Sequence, residues 1–165
     1  MSNEVLLVLG SNLDSKKDNI NRAIQRISIE FDCIKKSSFY ESKAWGYESD
    51  NDFLNVALII HCEINPKELL KKLLKIENEL GRNRSVNFRY NDRTIDIDII
   101  LFGDQIVNEA ELVIPHPRFH IRNFCLKPML EVAPLKLVPG LNKTVIELYD
   151  DYSQSQINDL NCVKI

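Results

Sequence analysis

Arg93-Thr94-Ile95-Asp96-Ile97-Asp98-Ile99-Ile100-Leu101-Phe102 alternates polar and apolar side chains, then runs into an unbroken apolar stretch. Period two predicts a strand from about Thr94 to Phe102, with Ile95, Ile97 and Ile99 on one face and Asp96 and Asp98 on the other. Working outward, the segment just before it contains a long loop, Arg82 to Arg93, and before that the clearest helix signal in the chain. Asn65 is placed to cap, Pro66 fits the first helical position and Glu68 the third. Leu69, Leu70, Leu73, Leu74, Glu77 and Leu80 then recur on one face, and Gly81 supplies the stop. Glu77 is the one acid in that stripe.

Further upstream, Phe53 to Cys62 reads as a strand. Its parity places Leu54, Val56, Leu58 and Ile60 on one face and Phe53, Asn55, Ala57 and Ile59 on the other. Cys33 to Tyr40 reads as another strand, separated from it by a second long loop, about Glu41 to Asp52. Ile20, Ala23, Ile24, Ile27 and Phe31 fall at helical spacing, with Ser15 and Asp18 as a start signal. Val5-Leu6-Leu7-Val8-Leu9 is wholly apolar, as a central strand would be, and Gly10-Ser11-Asn12 ends it. Downstream, Gly103-Asp104 turns into a short extended stretch near Ile106 and Val107. From Pro115 the pattern predicts short helices broken at Pro128 and Pro134, then a last helix near Val145 to Asp151. The order β-α-β-β-α-β predicts an α+β fold: a ferredoxin-like antiparallel sheet with helices packed on it, plus C-terminal additions. Such a fold carries no function by itself.

The 165 residues suit one domain spanning 1–165, and no repeat or low-complexity tract divides them. Formal net charge is -3, with 21 Lys+Arg against 24 Asp+Glu, which argues against a nucleic-acid or membrane-surface binder. No window approaches the roughly 18 apolar residues of a membrane span. Met1-Ser2-Asn3-Glu4 lacks the basic flank of a secretory leader, and five apolar residues make too short a core for one. Cys33, Cys62, Cys125 and Cys162 are too far apart for a zinc-type pair and read as free thiols. A cytoplasmic protein is expected, and a monomer.

The chemistry concentrates around the opening stretch. Two aspartates on one strand face stand about 7 Å apart at strand rise. Aspartate is depleted in strands and like charges on one face repel, so a cation between them gives the pair a physical reason. Hard carboxylate oxygens suit Mg²⁺, which also takes phosphate oxygens and water. Solvent-facing acids on a half-exposed strand are the plain alternative. Arg82, Arg84, Arg89 and Arg93 against Asp92 alone make the preceding loop +3 in a chain of net -3. Guanidinium groups favour bidentate recognition of phosphate or carboxylate. Together, loop and strand have the composition of a metal–polyphosphate site. Pro115-His116-Pro117-Arg118 and Arg122 add donors, although His116 could equally pack passively. Asn55 offers two donors and an acceptor to a heterocycle edge, or serves as a satisfied core amide. Phe53 and Phe124 could stack on a flat ring or fill core. There is no Gly-rich phosphate loop and no nucleophile–base pair for a covalent mechanism.

Taken in order, Leu9-Gly10-Ser11-Asn12, Phe53-Leu54-Asn55, Gly81-Arg82-Asn83-Arg84, Arg93-Thr94-Ile95-Asp96-Ile97-Asp98 and Pro115-His116-Pro117-Arg118 resemble the 6-hydroxymethyl-7,8-dihydropterin pyrophosphokinase family of folate biosynthesis. The resemblance runs from about Val5 to Pro134. It implies an ATP-dependent diphosphokinase that moves pyrophosphate from ATP to the pterin hydroxymethyl group, leaving AMP. It implies two Mg²⁺ ions on Asp96 and Asp98, and Arg82 and Arg93 as residues that clamp phosphates and aid the chemical step. Glu77, Arg84, His116 and Arg122 correspond to ATP-side positions. Ser42, Trp45, Phe53, Asn55 and Phe124 correspond to pterin-side positions, with Asn55 reading the ring edge between Phe53 and Phe124. The arginine loop departs from the family. Asn91-Asp92 stand where a pair such as Gly-Pro is common, Tyr90 is the nearest ring to a usual Trp, and the loop is one residue longer. Two other classes share the topology: a module that binds a phosphorylated metabolite, which leaves the paired aspartates unexplained, and an RNA-binding module, which the charge and the apolar strands disfavour.

Overall fold

Alternation in the strands divides the protein into layers. In the computed structural model, which describes residues 1–82, 91–155 and 162–165, the first half forms β1 (Asn3–Ser11), α1 (Lys16–Glu30), β2 (Asp32–Lys36), β3 (Tyr40–Ser42), β4 (Phe53–Cys62), α2 (Pro66–Glu79) and β5 (Asp96–Phe102). β1 is central, antiparallel to β4 on one side and β5 on the other, while β2 and β3 both pair with β4. This is the ferredoxin-like arrangement. The capping box on α2 forms as its residues predict: the Asn65 side chain accepts from the Glu68 amide, and the Glu68 carboxylate accepts from the Asn65 amide. Gly81 follows at φ +91°, a conformation that favours glycine. At α1, Ser15 sits at the cap position but its side chain makes no capping bond.

The expected strand from Cys33 to Tyr40 is two strands. At the break the Ser37 amide donates to the Ala57 carbonyl, while the Ala57 amide donates to the Ser37 hydroxyl instead of a backbone oxygen. That side-chain substitution ends the ladder and lets the chain re-enter as β3.

The β4 faces separate as parity requires. Leu54, Val56, Leu58 and Ile60 join Val5, Leu7 and Leu9 of β1 and Ile97 and Ile99 of β5 in a core covered by α1 and α2. Ala57, Ile59, Leu6 and Val8 face the opposite way, into a second core. The C-terminal additions divide between the layers: a hairpin of β6 (Val107–Asn108) and β7 (Val113–Ile114) adds Leu112 and Ile114 to the first core, α3 (Asn123–Val132), a hairpin of β8 (Leu137–Val138) and β9 (Lys143–Thr144) and α4 (Val145–Ser155) build the second layer, and β10 (Cys162–Lys164) is an edge strand beside β3. α3 does not break at Pro128. Its Cys125, Leu126, Met129 and Val132 are buried against the sheet, and that packing offsets the roughly 3 kcal/mol cost of an interior proline. The last helix also extends past Asp151, to Ser155. No helix among the described residues is long and apolar enough to cross a membrane.

Candidate active site

The second layer covers only part of its sheet face. Where α3 begins, the floor made by Val8 and Gly10 of β1, Phe53 and Asn55 of β4, and Asp96 and Asp98 of β5 is left open as a cleft of about 510 Å³, counting its mouth. Its walls come from Ser42, Lys43, Trp45 and Tyr47 on one side and Arg93, Arg122 and Phe124 on the other. Gly10 leaves room at the floor, because a Cβ there would stand 3.1 Å from Asn55 Oδ1.

Asn55 is buried, and its Nδ2 donates to Ser42 Oγ at 2.9 Å and to the Tyr40 carbonyl at 3.3 Å. These bonds fix the amide plane. Arg122 lies between two rings, its guanidinium carbon 4.4 Å from the Trp45 centroid and 5.7 Å from that of Phe124. Its Nε is buried with no hydrogen-bond partner among the described residues, a donor available to an anion. Arg93 stands 5.4 Å over Phe53. Ser42, Trp45, Phe53, Asn55 and Phe124, the pterin-side positions of the resemblance, share one cleft with Arg122, which the resemblance assigns to the ATP side.

Both arginines at the ends of the loop grip Asp96. Arg82 Nη1 stands 2.6 Å from its Oδ1, and Arg93 Nη1 stands 3.1 Å from its Oδ2. Glu77 lies beneath, 2.8 Å from Arg82 Nη1, and its Oε1 also accepts the Ile97 amide of β5 at 2.8 Å. The acid in the apolar stripe thus ties α2 to the strand between the two aspartates. It lines neither this cleft nor the one behind it. Asp98 is held above the usual carboxylate range by burial and by the charge of Asp96. Two such carboxylates suit a divalent cation that completes its shell with phosphate and water. No group of three or more metal-ligating side chains exists among the described residues.

A second cleft lies behind β5, lined by Leu70 and Leu74 of α2, Ile99, Leu112, Val113, His116 and Pro117. Asp98 lines this one too, so one residue borders both clefts. His116 Nδ1 accepts the Arg118 amide at 3.2 Å, which leaves a proton on Nε2. Burial, aided by Arg122, lowers the His116 pKa to about 4, so the ring is a neutral donor near pH 7. Arg84 and Arg89 lie outside the described residues, as does Tyr90. Sequence reasoning missed Lys43, Tyr47 and the apolar wall of the second cleft. Nothing in their spacing marks them, because they come together only through the sheet order.

A sequence model of the family described as 7,8-dihydro-6-hydroxymethylpterin-pyrophosphokinase (HPPK) matches residues 6–134. The chain belongs to this family. Its HPPK relatives include the 2-amino-4-hydroxy-6-hydroxymethyldihydropteridine pyrophosphokinase of Aquifex aeolicus, 38% identical over 143 residues, covering 87% of this chain and 88% of that one. The protein of the same description from Haemophilus influenzae is 34% identical over 157 residues, covering 94% and 96%. Among solved structures, wild-type Plasmodium falciparum HPPK-DHPS superposes on all of this chain with a TM-score of 0.77 at 16% identity. This chain spans 48% of the length of that protein, and at such identity the likeness speaks for the HPPK fold alone.

Proposed function

We propose that this chain transfers pyrophosphate from ATP to the hydroxymethyl group of 6-hydroxymethyl-7,8-dihydropterin, giving the pterin diphosphate and AMP. One observation carries the reading to these residues: a ring-walled cleft and a second cleft share Asp98 in their linings, with Asp96 beside it in the first. The pterin occupies the first, stacked on Phe53, Trp45 and Phe124 and read at its edge by Asn55 and Ser42. The nucleotide occupies the second, its phosphates directed toward the aspartates, with His116 Nε2–H, Arg122 and Arg84 as donors.

The hydroxymethyl oxygen forms a bond to the β-phosphorus while the α–β bridging oxygen leaves with AMP. Orientation supplies much of the rate, since two bound substrates meet at one point. Asp96 and Asp98 would hold Mg²⁺, with two ions as the finer reading, and the bound metal would neutralise phosphate charge and acidify the attacking hydroxyl. Arg82 and Arg93 are paired with Asp96, and we read them as turning onto the phosphates as charge develops in transfer. Loop 82–93 would then exclude water. Free thiols at all four cysteines support a reducing, cytoplasmic setting. We read residues 1–165 as one domain and the chain as a monomer.

The assay is AMP formation from ATP and Mg²⁺ with and without the pterin. AMP that depends on pterin supports the reading, ADP points to ordinary phosphoryl transfer, and no product points to a binding module. Asp96→Ala should lose Mg²⁺ binding and turnover together. Near-normal turnover in that variant sinks the assignment.

A further inference from the structure

The end of the arginine loop carries a cluster that the transfer chemistry does not use. Asp92 Oδ1 accepts from Asn12 Nδ2 at 2.7 Å, from Ser49 Oγ at 2.7 Å and from the Tyr47 hydroxyl at 3.0 Å. Its Oδ2 accepts from Asn51 Nδ2 at 2.8 Å. Four donors from two distant segments converge on one carboxylate, which fills its acceptor capacity. Tyr47, Ser49 and Asn51 belong to the loop joining β3 to β4, the loop that places Trp45 against Arg122. Asn12 follows β1 directly and binds Arg93, the next residue of the arginine loop, twice. Its Oδ1 accepts the Arg93 amide at 2.7 Å, and its own amide donates to the Arg93 carbonyl at 3.2 Å. Arg93 is thus held through its backbone at the hub and reaches Asp96 and Phe53 with its side chain.

We infer that Asp92 is a positioning residue that latches the loop carrying Trp45 to the strand entry carrying Arg93, so that the pterin wall and the phosphate-clamping arginine are set together. The inference rests on the pyrophosphoryl-transfer reading for its kinetic arm only. The bonds from Ser49, Asn51, Asn12 and Tyr47 hold the Asp92 carboxyl at about 2, so the latch is ionised throughout the neutral range. Charged acceptors make the stronger hydrogen bonds, and a neutral amide in the same place would turn one donor face toward existing donors. Neither Ser49 nor Asn51 lines the substrate cleft. Altering them therefore tests the latch without touching a substrate wall.

Trp45 is the sole tryptophan, so its fluorescence reports this loop. Asp92→Asn and the double variant Ser49→Ala/Asn51→Ala are compared with the unaltered protein by acrylamide quenching and by steady-state AMP formation. In both variants Trp45 should become at least about twofold more quenchable, kcat should fall about tenfold or more, and the KM for ATP should stay within about threefold, as a misplaced group predicts. Unaltered quenching in both variants overturns the latch, and so does unaltered kcat in the double variant. A fall in kcat that tracks loss of folded protein by circular dichroism overturns it as well, because a positioning role leaves the fold intact. If the unaltered protein forms no AMP, the transfer reading fails, and the quenching arm still decides the latch.

Discussion

Gly10 and Asn55 show how one missing Cβ shapes recognition. They are register partners on β1 and β4, and a methyl group at position 10 would stand 3.1 Å from Asn55 Oδ1 and 3.6 Å from Phe53 Cδ1. Gly10→Ala should therefore tilt the Asn55 amide, proposed to read the pterin edge, while leaving the second cleft, proposed for the nucleotide, alone. The expected cost is about 1 kcal/mol, roughly a fivefold rise in the KM for pterin with the KM for ATP unchanged. Equal rises in both would show that the crowding spreads beyond Asn55. At the same scale, the paired aspartates were legible in sequence because parity alone puts Asp96 and Asp98 on one face. Their ligand-free partners were not. Arg82 and Arg93 lie 11 positions apart in the chain yet meet on one carboxylate, and no local rule states that.

The elements themselves were largely legible. Asn65, Pro66, Glu68 and Gly81 bound α2 as local chemistry requires, and Leu69, Leu70, Leu73 and Leu80 of the stripe join the core while Leu74 lines the second cleft and Glu77 is buried as a charge. The family resemblance assigns that acid to the ATP side, and the structure adds a supporting contact between α2 and β5. Glu77 is nearly fully buried, accepts the Ile97 amide and supports Arg82. Glu77→Ala should leave a buried amide unpaired and cost about 2 kcal/mol, seen as a lower midpoint in urea unfolding. An unchanged midpoint would mean that water replaces the carboxylate at no cost. The break between β2 and β3 was illegible because a single hydroxyl, Ser37 Oγ, takes over a backbone acceptor role. The continuity of α3 through Pro128 was illegible because tertiary burial, not propensity, decides it.

Across the whole molecule, the second layer makes the site by stopping short. α3 and α4 cover one end of a sheet face and leave the other end as the cleft. β10, beyond the part matched to the family, extends that sheet beside β3, pairing Cys162 with Ser42, while Lys164 meets Glu131 of α3. Deleting Cys162–Ile165 should bare the β3 edge, lower the melting temperature by about 4 °C and raise the KM for pterin through Ser42. Unchanged melting and unchanged KM would sink that view of the edge strand. The sequence by itself determined the order of elements, which residues share a strand or helix face, and the nearness of an arginine loop to two aspartates. Those properties depend on periodicity and neighbours along the chain. Only the tertiary structure decided that Asp98 borders two clefts, that Glu77 accepts the Ile97 amide, and that Asp92 gathers donors from residues 12 to 51. Such convergences join residues tens of positions apart, and sheet order and layer packing, not local preference, bring them within hydrogen-bond distance.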